Sequence, residues 1–193
     1  DGLPSNTVKC FAEDENGNVY VGTSDKICMF HKDDRIEVMG QGITFAKAMT
    51  VYQDKLIVLD NNGTMYAIDD NNTLALSGYL GKDLFFYSLC NTSKGLLVGT
   101  ETGELFWADV TEREIILCSQ VVMTANQISA LYEDSAGRIW VATESEFGYL
   151  DEKNAYRTIS SDNFNSSIEC FYEDYQGNIW VASSHYGVMK LSE

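Results

Sequence analysis

The chain has little of the chemistry that catalysis and nucleic-acid binding use. It holds only two histidines, His31 and His185, and 13 basic against 29 acidic residues among 193. The resulting net charge of −16 repels phosphate backbones and acidic membrane surfaces. We therefore expect no nucleic-acid partner and no membrane contact by this segment.

Several further signals are missing. The sequence contains no run of 18 apolar residues, which is the pattern of a transmembrane helix. No secretory leader pattern stands at the N-terminus. The sequence has no His-x-x-x-His, Gly-x-Ser-x-Gly or Gly-rich phosphate loop. The segment 14–18 resembles a calcium loop only faintly, because the twelve-residue spacing and terminal Glu are absent. We predict no catalytic residue, no metal site and no cofactor.

The five cysteines do not define a redox compartment, since none shows Cys-x-x-Cys spacing. Cys10 and Cys170 occupy the same position of a repeat in which a third copy has Ala130. A position that accepts Cys or Ala indicates a small buried slot. A disulfide or a reactive thiol remains an alternative.

What the chain does have is an internal repeat. Cys10–Thr23, Ala130–Thr143 and Cys170–Ser183 share the pattern apolar–x–Glu-Asp–x–x–Gly–x–apolar–aromatic–Val–small–Thr/Ser. Gly137 and Gly177 are 40 residues apart, and Gly17 precedes Gly137 by 120. A fixed period near 40 built from short β-type runs indicates stacked copies of one small structure.

Two weaker copies fill the interval between the strong ones. Lys55–Asp60 and Gly95–Thr100 stand where the second strand of the first copy stands. We therefore predict five copies in one domain spanning 1–193. Their approximate bounds are 2–41, 42–81, 82–120, 121–160 and 161–193.

Each strong copy predicts two strands joined by a tight turn. Val8, Cys10 and Ala12 alternate with residues of the opposite face, which is the period of a strand. The Gly of the repeat suits the positive φ of a hairpin turn. Before a third strand, Gly-containing turns are predicted at Asn62-Gly63, Thr102-Gly103, Phe147-Gly148 and Tyr186-Gly187. With a variable fourth strand, each copy is a four-stranded antiparallel blade, and the chain an all-β propeller.

The repeated residues have structural interpretations. The Glu-Asp pairs could suggest general acid–base catalysis, but catalysis needs one site rather than the same pair in three blades. Each Asp begins a turn and can accept bonds from backbone N–H groups. The aromatic position indicates packing between blades more than a ligand platform. We assign structural roles to Asp14, Gly17, Asp134, Gly137, Trp140, Asp174, Gly177 and Trp180.

These motifs resemble the two-component regulator propeller repeat. The resemblance rests on Gly2-Leu3-Pro4-Ser5-Asn6-x-Val8 with Glu13-Asp14-x-x-Gly17, and on the runs 133–143 and 173–183. It implies the extracytoplasmic sensor region of a membrane-anchored bacterial signalling protein. The output domain would be a histidine kinase, often a hybrid one, or a diguanylate cyclase.

The number of strands suggests an incomplete ring. The fifth copy ends at its third strand, Val188–Leu191, and residues 1–7 are too few to supply a fourth. We expect four complete blades and one three-stranded blade, forming a piece of a larger propeller. Open blade edges predict self-association, with a strained five-blade ring as the alternative.

Ligand contacts are expected in loops that do not repeat. The unusual loop segments are Glu144–Phe147, Ser184–Tyr186, Phe85–Tyr87, Asn126-Gln127 and Asn163–Asn165. The candidate ligand-binding residues among them are Glu144, Glu146, Phe147, His185, Tyr186, Asn126, Gln127 and Phe164. Aromatic rings beside amides and carboxylates suit a carbohydrate-like small molecule. Ordinary surface loops are the alternative interpretation.

The sequence thus predicts a non-catalytic, extracytoplasmic ligand-sensing propeller. One alternative is a structural or protein-interaction propeller that holds subunits together. A propeller lyase is a third alternative. It is less favoured because no cluster of His, Arg or Lys is evident at one end of the central channel. Of such residues, His185, Arg157 and Arg138 are the candidates, and Arg138 lies in a repeat turn.

Overall fold

The computed structural model of the chain describes residues 3, 5–40, 42–69, 73–79, 82–124, 126–159 and 166–191. These residues form strands and turns, and no helix occurs among them. The contacts divide the chain into two compact units: Asp1–Phe86 with Val110–Ile116, and Tyr87–Asp109 with Leu117–Glu193. Blades 1 and 2 lie in the first unit, whereas blades 4 and 5 and most of blade 3 lie in the second.

Blades 1 and 2 are four-stranded sheets whose strands follow chain order. The strands of blade 1 are β1 (Val8–Glu13), β2 (Val19–Thr23), β3 (Ile27–Phe30) and β4 (Ile36–Met39). Those of blade 2 are β5 (Ala48–Tyr52), β6 (Lys55–Leu59), β7 (Met65–Ile68) and β8 (Thr73–Leu76). Two short strands, β9 (Gly78–Tyr79) and β10 (Lys82–Asp83), pair with each other after blade 2.

Blades 3 and 4 repeat this order, and blade 5 has three strands within the described residues. Blade 3 comprises β11 (Phe86–Thr92), β12 (Gly95–Thr100), β13 (Glu104–Val110) and β14 (Ile115–Met123). Blade 4 comprises β15 (Ile128–Glu133), β16 (Ile139–Thr143), β17 (Phe147–Leu150) and β18 (Tyr156–Ile159). Blade 5 comprises β19 (Ile168–Glu173), β20 (Ile179–Ser183) and β21 (Gly187–Leu191). The prediction of all-β propeller blades is confirmed, although the bound predicted near residue 120 falls inside β14.

The first hairpin of each strong copy is built on an aspartate. In blade 1, Asp14 Oδ1 accepts the Asn18 N–H at 2.8 Å, and the Gly17 N–H donates to the Asp14 carbonyl at 2.9 Å. Gly17 has φ +77°, which other residues adopt only at a cost. Partial burial alone would raise the pKa of Asp14, but the hydrogen bonds from Asn18 outweigh it and lower this pKa below 3.8. The carboxylate therefore holds the turn in its charged form.

The same device recurs at turns where the sequence repeat does not place it. Asp60 Oδ1, after the second strand of blade 2, accepts the Thr64 N–H at 2.9 Å. Asp151 Oδ1, after the third strand of blade 4, accepts the Ala155 N–H at 2.9 Å, with Asn154 at φ +58° in the place of a glycine. One local motif thus closes turns at both ends of different blades.

An aromatic cluster fills the space between blades 4 and 5. Trp140 and Phe147 project from blade 4, and the Phe171 ring of blade 5 lies 6.0 Å and 6.3 Å from theirs, measured between centroids. Trp140 Nε1 donates to Asp134 Oδ2 at 2.9 Å, so its polar edge is satisfied inside the core. The repeated aromatic thereby joins the turn of its own blade to the face of the next.

The five cysteines are not joined in disulfides, and their environments differ. Cys10 is half-buried against blade 2, where its Sγ donates to the Ala46 carbonyl at 3.2 Å, and burial raises its pKa to about 12. Cys170, at the same repeat position, is exposed. The expected buried slot is wrong for Cys170, because its side chain is exposed.

Candidate functional site

The loops richest in non-repeated polar residues lie at one end of blades 4 and 5. Ile128 pairs with Thr143, and Ile168 pairs with Ser183. The segment entering each first strand therefore lies beside the loop that leaves each second strand. We call this the loop end, and the opposite end, where Asp134 and Asp174 form their turns, the hairpin end.

In blade 4 the loop 144–146 is held by hydrogen bonds to the hydroxyl of Thr143. Thr143 Oγ1 accepts the Glu146 N–H at 3.2 Å and donates to the Glu146 carbonyl, while the Thr143 N–H donates to that carbonyl at 2.8 Å. Glu144 is exposed, whereas Glu146 is half-buried. These bonds hold the backbone of the loop, and the Glu144 side chain is exposed to solvent.

The segment entering blade 4 is tied to this loop. Asn126 Nδ2 donates to Ser145 Oγ at 3.0 Å, and the Asn126 carbonyl accepts from Thr124 Oγ1 at 2.7 Å. Asn126 and Gln127 are both half-buried. Two of the predicted loop segments are therefore brought together by direct contact.

Blade 5 carries a serine–histidine cluster at its loop end. His185 Nδ1 lies 2.8 Å from Ser184 Oγ and 3.4 Å from Ser166 Oγ. The Tyr186 N–H donates to Ser183 Oγ at 2.8 Å, and the Tyr186 ring is exposed. An exposed ring next to hydroxyl and imidazole groups can stack on, and hydrogen-bond to, a polar ligand.

Other candidates do not join this surface. Phe147 is 1 % exposed and packs against Phe171, so we withdraw it as a ligand contact: its side chain lies in the core between blades. Phe86 is likewise fully buried. Phe164 lies outside the described residues.

Sequence reasoning missed two serines near these loops. Ser166 enters the His185 cluster, and Ser129, beside the blade 4 crossing, has a buried hydroxyl without a hydrogen-bond partner in the structure. The signal that could have found them is position, because each lies within two residues of the start of a first strand.

A cavity of about 210 Å³ lies between blades 4 and 5. Arg138 stands at its wall, with the guanidinium carbon 5.6 Å from the centroid of the Trp140 ring. The cavity is lined by Asp134, Arg138, Trp140, Ile159, Gly177, Ile179 and Leu191. It is not continuous with the polar loop residues, since none of them lines it.

The described residues hold no cluster of three or more His, Cys, Asp or Glu side chains that could bind a metal ion. In that same part of the chain, no helix long and apolar enough to cross a membrane is found. What the loop end offers is carboxylate, amide, hydroxyl, imidazole and one exposed phenol ring. This chemistry suits recognition of a neutral, hydroxyl-rich molecule.

The stacked four-stranded sheets define the class: the chain is built of β-propeller blades. Three of its segments, residues 2–25, 123–145 and 161–185, match the sequence profile of the two component regulator propeller family. These three segments are the strong copies, so the resemblance inferred from the motifs is confirmed. No curated protein matches the chain.

Solved structures share the fold. Extracellular domains assigned to a hybrid and to a one component system of B. thetaiotaomicron align with TM-scores of 0.79 and 0.76, at 16 % and 17 % identity. The alignments cover 100 % of this chain in both cases, and 27 % and 29 % of those domains. The chain therefore spans under a third of their length. At such identities the similarity shows the fold.

Enzymes are also among the similar structures. A streptogramin B lyase aligns with a TM-score of 0.78 at 15 % identity, covering 98 % of this chain and 67 % of the lyase. The propeller architecture by itself thus does not separate a sensor from a lyase.

Proposed function

We propose that this chain forms part of a non-catalytic, ligand-sensing propeller in the extracytoplasmic region of a membrane-anchored bacterial signalling protein. The output domain of that protein would be a hybrid histidine kinase or a diguanylate cyclase. The observation that carries the proposal is the match of three blades to two component regulator propeller repeats. The fold shared with extracellular domains of B. thetaiotaomicron signalling systems supports it.

The loop end of blades 4 and 5 is the ligand-binding surface in this proposal. Glu144 and Asn126 present oxygen and amide groups from blade 4, and His185 and Tyr186 present imidazole and phenol from blade 5. Sugar hydroxyls both donate and accept, so mixed groups of this kind pair with them without a net charge requirement. A pyranose face would stack on the exposed ring of Tyr186. We therefore propose a carbohydrate as the ligand class.

Signal output requires that the ligand favour one arrangement of the propeller over another. The loops of blades 4 and 5 stand at one end of two sheets whose aromatic faces meet at Trp140 and Phe171. A ligand that bridges both loops would favour one packing of these faces. Differential affinity for the two packings would then bias the output domain.

A panel of neutral oligosaccharides tested by thermal shift examines this proposal. A ligand that binds only the folded chain raises the melting temperature by mass action. We expect a hit whose effect is lost in the double variant Glu144→Gln, His185→Ala and in Tyr186→Ser. The matched control, Glu152→Gln in an exposed turn at the hairpin end, keeps the full shift. An effect that all four proteins show equally contradicts the assignment of the site.

A lyase is the second candidate, favoured by the aligned streptogramin B lyase. A catalytically inactive virginiamycin B lyase from Staphylococcus aureus was solved with quinupristin, and it aligns at a TM-score of 0.75 and 11 % identity. Incubating this chain with quinupristin and following the disappearance of the intact compound by liquid chromatography separates the two functions. Turnover that His185→Ala abolishes would favour the enzyme; an unchanged substrate would favour the sensor.

A further inference from the structure

Two lysines of blades 1 and 2 lie over phenylalanine rings within the first compact unit. Lys9 Nζ is 4.5 Å from the centroid of the Phe45 ring, and Lys47 Nζ is 5.6 Å from that of the Phe85 ring. Each lysine stands in or just before the first strand of its blade, and each ring stands in the segment that leads into the next blade. The same arrangement thus occurs twice, with Phe45 and Phe85 40 residues apart. We call these four residues the lysine–phenylalanine cluster.

The backbone around both rings is held by hydrogen bonds. The Phe45 N–H donates to the Ser24 carbonyl at 2.9 Å, and Phe45 adopts φ +55°, a conformation that is costly for a bulky residue. The Phe85 ring lies against Gly63, where a Cβ would come within 2.4 Å of a ring carbon. The Phe86 N–H donates to the Gly63 carbonyl at 3.0 Å. Each ring therefore stands at a defined place, where its face attracts an ammonium group.

The two pairs adjoin each other at Ala46. This residue is 1 % exposed, and its carbonyl accepts from Cys10 Sγ, so it is held in the contact between blades 1 and 2. Phe45 and Lys47 flank it and are half-buried, and two residues of chain span at most about 7 Å. Lys9 is exposed. Two positive charges are therefore gathered on one small, solvent-accessible surface.

The charge of the cluster is unusual in so acidic a chain. Acidic residues outnumber basic ones 29 to 13, and a lysine elsewhere in the same unit has a close acidic partner: Lys55 Nζ lies 2.6 Å from Asp69 Oδ2. Lys9 makes no salt bridge with any residue that the structure describes and faces the ring of Phe45 instead. An ammonium group without a carboxylate of its own protein can bind an anion from solution.

The blade does not require a lysine at this position. Lys9 lies at an irregularity in the pairing of β1 with β2, between Val8 and Cys10. The same irregularity in blades 4 and 5 contains Ser129 and Glu169. A bulge redirects a side chain, and bulges are common beside active sites. The lysine is thus a feature of its own blade and not of the repeat, as is expected of a ligand contact.

We propose that the lysine–phenylalanine cluster binds the carboxylate of a small organic acid through Lys9 and Lys47. The net charge of −16 opposes the approach of anions, and this repulsion grows with the charge of the ligand. A singly charged carboxylate is therefore favoured over a phosphate dianion. Phe45 and Phe85 position the two ammonium groups.

The ligand class that we assign is a sugar acid. This choice rests on the proposed carbohydrate-sensing function, whereas the anion site rests on the geometry of the cluster. The cluster shares no residue with the loop end of blades 4 and 5, so the two sites can be tested separately.

Galacturonate and galactose are matched probes, because they differ only in the carboxylate at one carbon atom. In NMR titrations of the full chain at constant ionic strength, we expect galacturonate to shift the amide signals of Lys9 and of Phe45–Lys47. Galactose should leave these signals unchanged. Equal shifts with both sugars, or no shift with galacturonate, overturns the proposal.

Charge variants test the two lysines. The double variant Lys9→Gln, Lys47→Gln should weaken galacturonate binding roughly tenfold or more, since it removes both charged donors. The matched control, Lys32→Gln with Lys153→Gln in exposed turns, makes the same change of net charge and should keep the affinity. Equal losses in both double variants would reveal only general attraction and overturn the site. Tighter binding of inorganic phosphate than of galacturonate would overturn the carboxylate assignment.

The outcomes also separate this site from the loop end. Galacturonate binding that depends on Lys9 and Lys47, without any hit from the neutral oligosaccharide panel, would support the anion site and contradict the loop-end site. A neutral hit at the loop end, without a galacturonate response at the cluster, would overturn the anion site and leave the proposed function in place.

Discussion

Glu173 of blade 5 binds the first turn of blade 4 through two hydrogen bonds from Ser135. One carboxylate oxygen accepts the Ser135 N–H and the other the Ser135 hydroxyl, both at 2.6 Å. Glu133 makes the same pair of bonds to Ser93 of blade 3. In blades 4 and 5 the Glu of the repeated Glu-Asp pair therefore joins its blade to the preceding one, while the Asp closes its own turn. Both repeated acids thus have structural partners in blades 4 and 5.

We predict that Glu173→Gln and Ser135→Ala each destabilise the chain, and that their effects are coupled by about 1 kcal/mol. The bonds are charge-assisted but exposed, which limits their contribution. A double-mutant cycle measured by urea unfolding gives the coupling. Glu152→Gln, in an exposed turn, serves as the control and should show no coupling with Ser135→Ala. Additive losses would show that the two side chains act independently.

The two repeated tryptophans should differ in their contribution to stability. Trp140 is buried against Phe171, whereas Trp180 is half-exposed, although each donates to its own Asp at 2.9 Å. Trp140→Phe should cost about 2 kcal/mol, through lost packing and an unsatisfied buried carboxylate. Trp180→Phe should cost clearly less, because water can replace its bond. Equal losses in chemical denaturation would contradict the burial difference.

The carboxyl of Asp174 should titrate unusually low. The hydrogen bond from Trp180 is the main cause that lowers its pKa from 3.8 to about 2, with further bonds from Asn178 and Gln176. Since the folded-state pKa lies below the unfolded one, the stabilisation is complete above pH 3.8 and is lost as the pH falls through about 2. NMR titration of the side-chain carbon measures this pKa directly.

Trp180→Phe is the informative variant for that titration. Removing the indole donor should raise the pKa of Asp174 toward 3.8 and move the acid-induced loss to higher pH. Trp140→Phe, which alters the equivalent pair of blade 4, should leave the pKa of Asp174 unchanged. A pKa near 3.8 in the unmodified chain would contradict the hydrogen-bond network.

Two glycines should respond very differently to alanine. A Cβ at Gly148 would lie 2.0 Å from the Arg157 carbonyl oxygen, so the adjacent strand must move. A Cβ at Gly137 meets nothing within 4 Å, and only its φ of +77° opposes the change. We expect Gly148→Ala to cost about 3 kcal/mol or more and Gly137→Ala about 1 kcal/mol. Thermal unfolding of both variants checks the order, and the reverse order would contradict it.

The sequence predicts most of the fold because the repeat carries it. The period locates the blades, and the Asp–Gly pattern locates their first turns. It fails at Phe147-Gly148, where a glycine suggests a turn, yet both residues lie in β17 and Gly148 pairs with Val141. Because β17 begins at Phe147, two residues before the predicted start of the strand, Phe147 lies in the core and not in a loop. The candidate ligand contact at Phe147 is lost for this reason.

Contacts between blades are the other part that the sequence does not reveal. Nothing in the spacing of Glu173 and Ser135 shows that they meet, since their contact depends on how two sheets stack. The same holds for the cavity beside Leu191, because its walls come from both blades, including Ile159 of the fourth strand of blade 4. The pairing of Asn126 with Ser145 likewise needs two loops in three dimensions.

The most direct test of the sensor proposal maps a bound oligosaccharide on the isotope-labelled chain by NMR. With a hit from the thermal-shift panel, we predict amide shift changes concentrated at Asn126-Gln127, Glu144–Glu146 and Ser184–Tyr186. The amides of Asp134–Gly137 and Asp174–Gly177, at the hairpin end, should stay unchanged. Shifts confined to the hairpin end, or none with any sugar of the panel, would contradict a carbohydrate site at the loop end.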